Sequence, residues 1–207
     1  CRAEGVDICF EPGATAIYPE GFETVVTVPD IARRWEGDIR PHHFAGVATV
    51  VTKLFGIVRP DIAVFGQKDF QQAALVRRVV EDLSLGVKLI VHPTVREQDG
   101  LAMSSRNVYL SATDRALAPI LYKSLQAGAA AIKNGMTASR QIQSMMTQVL
   151  RRESAATVDY LAVCDPDTLA PLASVSERAV LQGAIRIGHV RLIDNVLVKR
   201  PEKRGRR

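Results

Sequence analysis

The sequence has 207 residues, of which 47% are hydrophobic and 24% are charged, enough to bury the core of one large or two small domains. Its three cysteines, Cys1, Cys9 and Cys164, show no C-x-x-C spacing, which disfavours a disulfide framework or a thiolate zinc site and favours a reducing compartment. No apolar run approaches the ~18 residues that span a bilayer, and no secretory leader is recognisable. We therefore expect a cytoplasmic protein that does not enter a membrane.

The net charge of +5 comes from one end of the chain. Residues 199–207 contain six basic side chains and one acidic side chain, and the remaining residues are neutral as a set. A short basic tail of this kind can attract phosphate backbones, but no aromatic or other nucleic-acid-binding module accompanies it. We predict a disordered, solvated tail and no nucleic-acid partner.

The first residues resemble the middle of a fold. The chain starts at Cys1 without a methionine, and Gly5 separates a short helix-like stretch from the apolar run at residues 6–10. This pattern predicts the end of a helix, a glycine stop and a strand. A domain seldom begins at the end of a helix, so the sequence is expected to be a fragment or a gene read from its middle.

The next hundred residues alternate between strand and helix patterns. Apolar residues at three- and four-residue intervals predict amphipathic helices over residues 44–58 and 70–83. Short apolar runs at residues 62–65 and 87–91 predict buried strands. A strand, a helix and a strand within about 30 residues form a βαβ unit, which implies a parallel sheet with a right-handed crossover.

The pattern changes after Arg106. Ser111-Ala-Thr-Asp114 resembles a capping box that opens a long helix through Leu125, and a second apolar stripe with methionines predicts another helix that reaches Leu150. Three strands are predicted at residues 158–163, 179–187 and 191–198, and we expect them to be antiparallel. The boundary is placed between residues 103 and 111. It gives an α/β domain over 1–105, a small α+β domain over 106–198 and the tail over 199–207.

The first stretch with chemical potential follows the strand at residues 62–65. Ligands of open parallel sheets bind beyond the carboxyl ends of the strands, and the helix N-terminus there offers free N–H groups to an anion. Gly66 lets the backbone approach a phosphate and Lys68 adds a positive charge. The alternative is that Asp69 only caps the helix, while Lys68 and Gln72 are solvated surface residues. The Walker A pattern is absent.

The second stretch follows the next strand and contains glycine, two serines and an arginine. Residues 93–97 and 99–107 can wrap a triphosphate with backbone donors, hydroxyl groups and a guanidinium, or they can be a polar linker between domains. Upstream, Arg40-Pro41-His42-His43-Phe44 places a histidine at a helix start, where a capping or packing role is the alternative to catalysis. The other histidines, His92 and His189, show no metal-ligand spacing.

Together and in this order, these segments resemble the pantothenate synthetase (pantoate–β-alanine ligase) family. The resemblance covers the chain to about residue 196. The matching segments are Tyr18-Pro-Glu-Gly21, Arg40-Pro-x-His-Phe-x-Gly-Val47, Thr49-Val-Val-Thr-Lys-Leu54, Phe65-Gly-Gln-Lys-Asp-Phe-Gln-Gln72, Pro93-Thr-Val-Arg-Glu97, Asp99-Gly-Leu-Ala-Met-Ser-Ser-Arg-Asn107 and Arg191-Leu-Ile-Asp-Asn195.

The resemblance implies a partial Rossmann-like nucleotidyltransferase domain with a parallel sheet, followed by a small α+β domain. It also implies an ATP- and Mg²⁺-dependent ligase that acts as a homodimer. In this family the carboxylate of pantoate attacks the α-phosphate of ATP to give pantoyl adenylate and pyrophosphate. The amine of β-alanine then displaces AMP.

The resemblance also assigns residues to ligands. Lys68 is expected to stabilise charge on the separating phosphates. The predicted ATP site consists of Gly66, Gln67, Lys68, Asp69, Val95, Met103, Ser104, Ser105 and Arg106, of which the last four would form a mobile phosphate-gripping loop. The predicted acyl site consists of Gln72, His43 and Arg40.

The sequence departs from the family pattern in two places. Gln67 stands where the family commonly has glutamate. The His-x-Gly-His motif that supplies the family's catalytic histidine is not found in the chain, which is therefore expected to be an incomplete enzyme. The alternatives are a non-catalytic remnant or partner-binding module with this fold, and an adenylate-forming ligase for another carboxylic acid.

Overall fold

A computed structural model of the chain describes residues 1–153 and 155–201. Its helices are α1 (Ala14–Ile17), α2 (Pro29–Ala32), α3 (Glu36–Ile39), α4 (His43–Val58), α5 (Phe70–Asp82), α6 (Ala112–Leu117), α7 (Ile120–Lys133) and α8 (Ser139–Leu150). Its strands are β1 (Ile62–Gly66), β2 (Lys88–His92), β3 (Ala156–Cys164), β4 (Arg178–Ile187) and β5 (Val190–Lys199). Short 3-10 turns cover Arg2–Glu4, Gln67–Asp69 and Ser105–Tyr109. None of the described helices has the length and apolar character needed to cross a bilayer.

The predicted βαβ unit is present. β1 and β2 pair in parallel from Ile62↔Lys88 to Gly66↔His92, and α5 connects them. The preceding helix, α4, ends at Arg59, whose positive φ of 51° and neighbouring Pro60 stop it. The fold class predicted from the sequence is therefore confirmed in this half of the chain.

The strand predicted at residues 6–10 is wrong. This segment has no strand pairing in the described structure, and Ile8 is 84% exposed. Apolar sequence alone does not make a strand, because a strand also needs a neighbour to accept its backbone hydrogen bonds. One face of the β1–β2 pair is likewise uncovered, with Val64 64% exposed.

The helical segment after residue 111 differs from the prediction at one point. Ser111 caps α6, since its Oγ accepts a hydrogen bond from the Asp114 backbone N–H at 3.1 Å. The predicted single long helix is nevertheless divided into α6 and α7 at Ala118 and Pro119. Proline has no N–H to continue the helical hydrogen bonds, and its ring favours the first positions of a new helix.

The three predicted C-terminal strands form an antiparallel sheet in the order β3–β4–β5. The turn between β4 and β5 has two residues, and Gly188 adopts a positive φ of 56° there. β5 extends to Lys199, and the Arg200 N–H donates to the Glu177 carbonyl, so the predicted tail begins later than residue 199. Residues 202–207, where most of the predicted tail falls, lie outside the described structure.

This sheet is covered on both faces. One face packs against α7 and α8 around Leu125, Ile142 and Leu181. The other face packs against the N-terminal helices, where Cys164 and Val180 contact the cluster of Phe44 and Leu75. The sheet packs against elements from both halves of the chain, so its packing does not test where one domain ends and the next begins. The domain boundary between residues 103 and 111 therefore stays a prediction. The sheet therefore also borders the space between the two halves of the molecule.

Candidate active site

Two adjoining pockets lie between the carboxyl end of β1 and strand β5. The larger has a volume of about 320 Å³ and is bordered by α3, the turn after β1, the loop after β2, α7 and β5. The smaller, of about 50 Å³, continues towards α4 and α5. Six residues line both pockets: Glu36, Arg40, Lys68, Asp69, Ile193 and Asp194. We treat the two as one cleft.

The turn after β1 contributes Lys68 and Asp69 to both pockets. The Lys68 Nζ lies 3.8 Å from Asp69 Oδ1. Asp69 occupies the N-cap position of α5 without a side-chain capping bond, and its carboxylate is half exposed. Gly66 and Gln67 do not line the cleft, and the Gln67 side chain instead donates to Asn195 Oδ1 at 3.1 Å. Because the Asp69 side chain makes no capping bond, the alternative in which Asp69 only caps the helix is not seen in the structure.

The loop after β2 supplies Ser104 and Arg106 to the larger pocket. The other predicted ATP-site residues of this loop, Val95, Met103 and Ser105, lie outside it. The Met103 N–H donates to the Val95 carbonyl at 2.9 Å, and both residues are about half exposed. The structure thus brings two of these five predicted residues together with Lys68.

The predicted acyl-site residues meet at the other end of the cleft. Arg40 lines both pockets, and His43 and Gln72 line the smaller one. Burial, reinforced by the charge of Arg40, lowers the pKa of His43 below its usual value of 6.5, so the ring is neutral at pH 7. The neighbouring Gln71 has a structural role instead, because its buried amide donates to the carbonyls of Ile31 and Arg34.

Sequence reasoning missed an ion-pair network on the cleft wall. Arg191 on β5 donates to both oxygens of Glu36 on α3, at 2.6 and 2.7 Å, and the Tyr160 hydroxyl donates to Glu36 at 2.9 Å. The Arg191 Nε also donates to Asp159 at 2.6 Å. The hydrogen bonds that Arg191 donates to Glu36, and then the one to Asp159, raise the pKa of Arg191 despite its partial burial. Burial, followed by the charge of Glu36, raises the pKa of Tyr160.

A second network, also missed, joins β5 to the two predicted phosphate-binding segments. Arg96 donates to both oxygens of Asp194, at 2.6 and 2.9 Å, and stacks on the Tyr122 ring at 3.6 Å. Asn195 Nδ2 donates to the carbonyls of Gln67 and Lys68, both at 2.9 Å. The sequence signals for these residues were the segments Pro93–Glu97 and Arg191–Asn195, whose match to the family gave no role to Arg96, Asp194 or Asn195.

The described residues contain no cluster of three His, Cys, Asp or Glu side chains suited to hold a metal. Mg²⁺ does not need one, since it is usually held by one or two carboxylates together with substrate phosphates. Of the cleft carboxylates, Glu36 and Asp194 are engaged by arginines, whereas Asp69 is half exposed beside Lys68. The donor set therefore fits a magnesium ion that arrives with ATP.

Comparison with known proteins agrees with this architecture. The family model described as pantoate-beta-alanine ligase matches residues 1–197. The chain belongs to the pantoate–β-alanine ligase family. Among curated members of the family, the pantothenate synthetase of Herpetosiphon aurantiacus is 47% identical over 198 residues, which cover 95% of this chain and 72% of that protein. That of Sinorhizobium medicae is 48% identical over 195 residues, covering 94% of this chain and 67% of that protein.

Solved pantoate–β-alanine ligase structures have the same fold. The enzyme from Thermus thermophilus superposes with a TM-score of 0.90 at 45% identity, over 94% of this chain and 71% of that one. The Francisella tularensis enzyme, described as complexed with beta-gamma ATP and beta-alanine, gives a TM-score of 0.71 at 32% identity, over 95% of this chain and 66% of that one. The predicted family and fold are confirmed, while the individual residue roles stay predictions.

Proposed function

We propose that this chain takes part in the ATP-dependent condensation of pantoate with β-alanine, through a pantoyl-adenylate intermediate. The observation that carries the proposal is the convergence in one cleft of the side chains predicted for phosphate and for the acyl substrate. Lys68, Ser104 and Arg106 line its larger pocket, His43 and Gln72 line its smaller pocket, and Arg40 borders both. Family membership supplies the identity of the reaction.

The charges of the larger pocket suit a polyphosphate. Lys68, Arg40 and Arg106 come from three separate segments and face one cavity. During adenylation, negative charge builds up on the pyrophosphate that leaves, and fixed cations aimed at that charge lower the barrier. Lys68 is the best placed of the three, because its side chain is mostly buried and lies beyond the carboxyl end of β1. We assign it the catalytic role.

The loop residues Ser104 and Arg106 would close on the nucleotide from the opposite side. The Ser104 Oγ currently accepts a hydrogen bond from the Arg106 backbone N–H, and the following residues form an exposed 3-10 turn. This arrangement leaves the Arg106 guanidinium free to move towards a phosphate. Val95, Met103 and Ser105 belong to the proposal as residues that reach ATP only after such a movement, while Gly66 and Gln67 contribute backbone atoms.

The smaller pocket suits the acyl substrate. A neutral imidazole can accept a hydrogen bond from a hydroxyl group of pantoate, and the Gln72 amide offers both a donor and an acceptor. Arg40 is placed to hold the carboxylate of pantoate near the border of the two pockets. The carboxylate would then face the phosphates held near Lys68, which is the orientation that attack on the α-phosphate requires.

Magnesium, a homodimeric assembly and a cytoplasmic location complete the proposal. Mg²⁺ would be held by the ATP phosphates and Asp69, where it neutralises phosphate charge. The family resemblance is the support for the dimer and for the location. Sedimentation of the purified protein measures the oligomeric state directly.

The test is pantoate-dependent exchange of pyrophosphate into ATP, followed by pantothenate formation on addition of β-alanine, in the longest chain that the gene encodes. We expect Lys68→Ala to lower the exchange rate by about 100- to 1,000-fold, as for the loss of one preorganised charge contact. The exposed Lys133, at the end of α7, provides the matched control, and Lys133→Ala should leave the rate unchanged.

Three outcomes contradict the proposal. Near-normal exchange by Lys68→Ala removes the catalytic assignment. Exchange that depends on another carboxylic acid and not on pantoate favours an adenylate-forming ligase of different specificity. No nucleotide binding and no exchange by a folded wild-type protein favours the non-catalytic alternative.

A further inference from the structure

Two consecutive residues of β5 reach two different segments of the cleft. Side chains alternate between the faces of a strand, so Asp194 and Asn195 point to opposite sides of the sheet. Asp194 lies on the side of α7, where it meets Arg96, and Asn195 lies on the side of the turn after β1. Both are almost completely buried.

The side chain of Asn195 is bonded to the turn that carries Lys68. Its Nδ2 donates to the carbonyls of Gln67 and Lys68, and its Oδ1 accepts from the Gln67 side chain. The two donated bonds hold the backbone on both sides of the Lys68 Cα, and the third holds the Gln67 side chain. The direction in which the lysine leaves the turn is therefore set by a residue 127 positions away.

Asp194 holds the segment that leads into the Ser104–Arg106 loop. Arg96 binds both of its oxygens, and the same guanidinium donates to the Gly100 carbonyl at 3.0 Å. The Asn195 backbone N–H also donates to Asp194 Oδ1 at 2.7 Å. Arg96 thus ties the turn at Gly100 to β5, and Gly100 has no room for a side chain because a Cβ there would lie 2.6 Å from the Tyr122 ring.

We propose that Asp194 and Asn195 act as a pair of positioning residues, which set the distance between the Lys68 turn and the Ser104–Arg106 loop for nucleotide transfer. The inference rests on the proposed function for its kinetic consequence but not for its structural one. Neither side chain needs to touch substrate, because each acts through the segment it holds. A stabilising role alone would have no such consequence for Lys68.

Hydrogen exchange tests the structural part without any substrate. We expect Asn195→Ala to speed amide exchange in residues 66–69 and to leave residues 96–107 unchanged. Arg96→Lys keeps the charge but loses the two-point contact, so it should speed exchange in residues 96–107 and leave residues 66–69 unchanged. Gln143→Ala is the matched control, since that side-chain amide also donates to a backbone carbonyl, that of Leu161 on β3, away from the cleft.

A double-mutant cycle tests the kinetic part. If Asn195 acts through Lys68, Asn195→Ala should lower the pyrophosphate exchange rate about tenfold in the wild-type background and by less than about twofold in the Lys68→Ala background. Gln143→Ala should lower the rate in neither. If Asn195→Ala does not fold, Asn195→Leu serves instead, because it keeps the branching and approximate size of the side chain, adds no buried charge and removes both donated hydrogen bonds.

The outcomes separate this inference from the proposed function. Normal pyrophosphate exchange by the Lys68→Ala protein refutes the catalytic role that the proposed function assigns to Lys68, and amide hydrogen exchange then decides the structural part of this inference. The positioning role is refuted if Lys68→Ala slows pyrophosphate exchange and the effects of Lys68→Ala and Asn195→Ala multiply in the double mutant. Faster amide hydrogen exchange throughout the Asn195→Ala protein also refutes the positioning role, because it would indicate general destabilisation.

Discussion

The ion pair between Arg191 and Glu36 should dominate the stability of the cleft wall. Replacing Arg191 by methionine keeps much of its apolar stem and removes the charge. It leaves the Glu36 carboxylate, which is 8% exposed, without the two hydrogen bonds that it accepts from the guanidinium. Asp159 loses its bond to Arg191 but keeps that to Arg186. One buried carboxylate is thus left with Tyr160 as its remaining partner.

The size of the effect follows from that burial. Breaking a buried pair by removing one partner costs about 3–5 kcal/mol, because the other charge stays desolvated and uncompensated. For a chain of this length each kcal/mol corresponds to roughly 2–4 °C in Tm, so Arg191→Met should lower the Tm by roughly 6–20 °C. The matched control is Arg178→Met, since Arg178 also pairs with an aspartate, Asp167, but both side chains are about half exposed. That variant should lose less than about 1 kcal/mol.

Thermal and urea unfolding of the two variants give the comparison, and a second substitution identifies the cause. Adding Glu36→Gln to Arg191→Met removes the unpaired charge while the Tyr160 hydroxyl keeps an acceptor, so part of the lost stability should return. The reasoning is refuted if Arg191→Met and Arg178→Met lose equal stability. It is also refuted if Glu36→Gln lowers the stability of the Arg191→Met protein further.

Three further predictions concern single groups. NMR titration of His43 should give a midpoint below 6.5 that shifts upward in Arg40→Ala, because burial and then the charge of Arg40 lower its pKa. The unfolded chain takes up this proton first, so the contribution of His43 to stability is lost as the pH falls, and a midpoint above 6.5 contradicts the assignment. Saturating ATP should slow tryptic cleavage after Arg106, and equal cleavage rates with and without ATP exclude the closing loop. Burial raises the pKa of the Cys164 thiol to about 12, so native protein at pH 8 should react with a thiol reagent only at the two exposed cysteines, whereas denatured protein should react at all three.

The elements that the sequence predicted well are those with local signals. The apolar spacing of α4 and α5, the short runs of β1 and β2, and the Ser111 cap of α6 each depend on residues within one or two turns. The strand expected at residues 6–10 failed because pairing is decided by a neighbour, which its own composition does not report. The single helix expected from Ser111 through Leu125 failed because the pattern of apolar residues outweighed Pro119 in the prediction.

The candidate site was predictable on one side only. Lys68, Ser104 and Arg106 stand after strands whose carboxyl ends mark a ligand edge, which is a property of the local order of elements. Glu36, Arg96 and Asp194 acquire their roles from partners 155 and 98 residues away. The spacing of residues in a single sequence does not reveal such pairs, because an acidic residue that forms a buried ion pair has the same local sequence pattern as one that is exposed to solvent.

The C-terminal sheet therefore has a role at the cleft that its sequence pattern does not predict. The sequence pattern alone predicts a small α+β domain over residues 106–198. In the structure Arg191, Asp194 and Asn195, all within five consecutive positions of β5, hold α3, the loop after β2 and the turn after β1 respectively. One strand can do this because alternate side chains leave it in opposite directions while its backbone stays fixed in the ladder with β4. Three segments that border the cleft are thus held by one strand. A substitution at Asn195, which acts through the turn that carries Lys68, should therefore disturb the cleft without replacing a residue that the proposed function assigns to substrate.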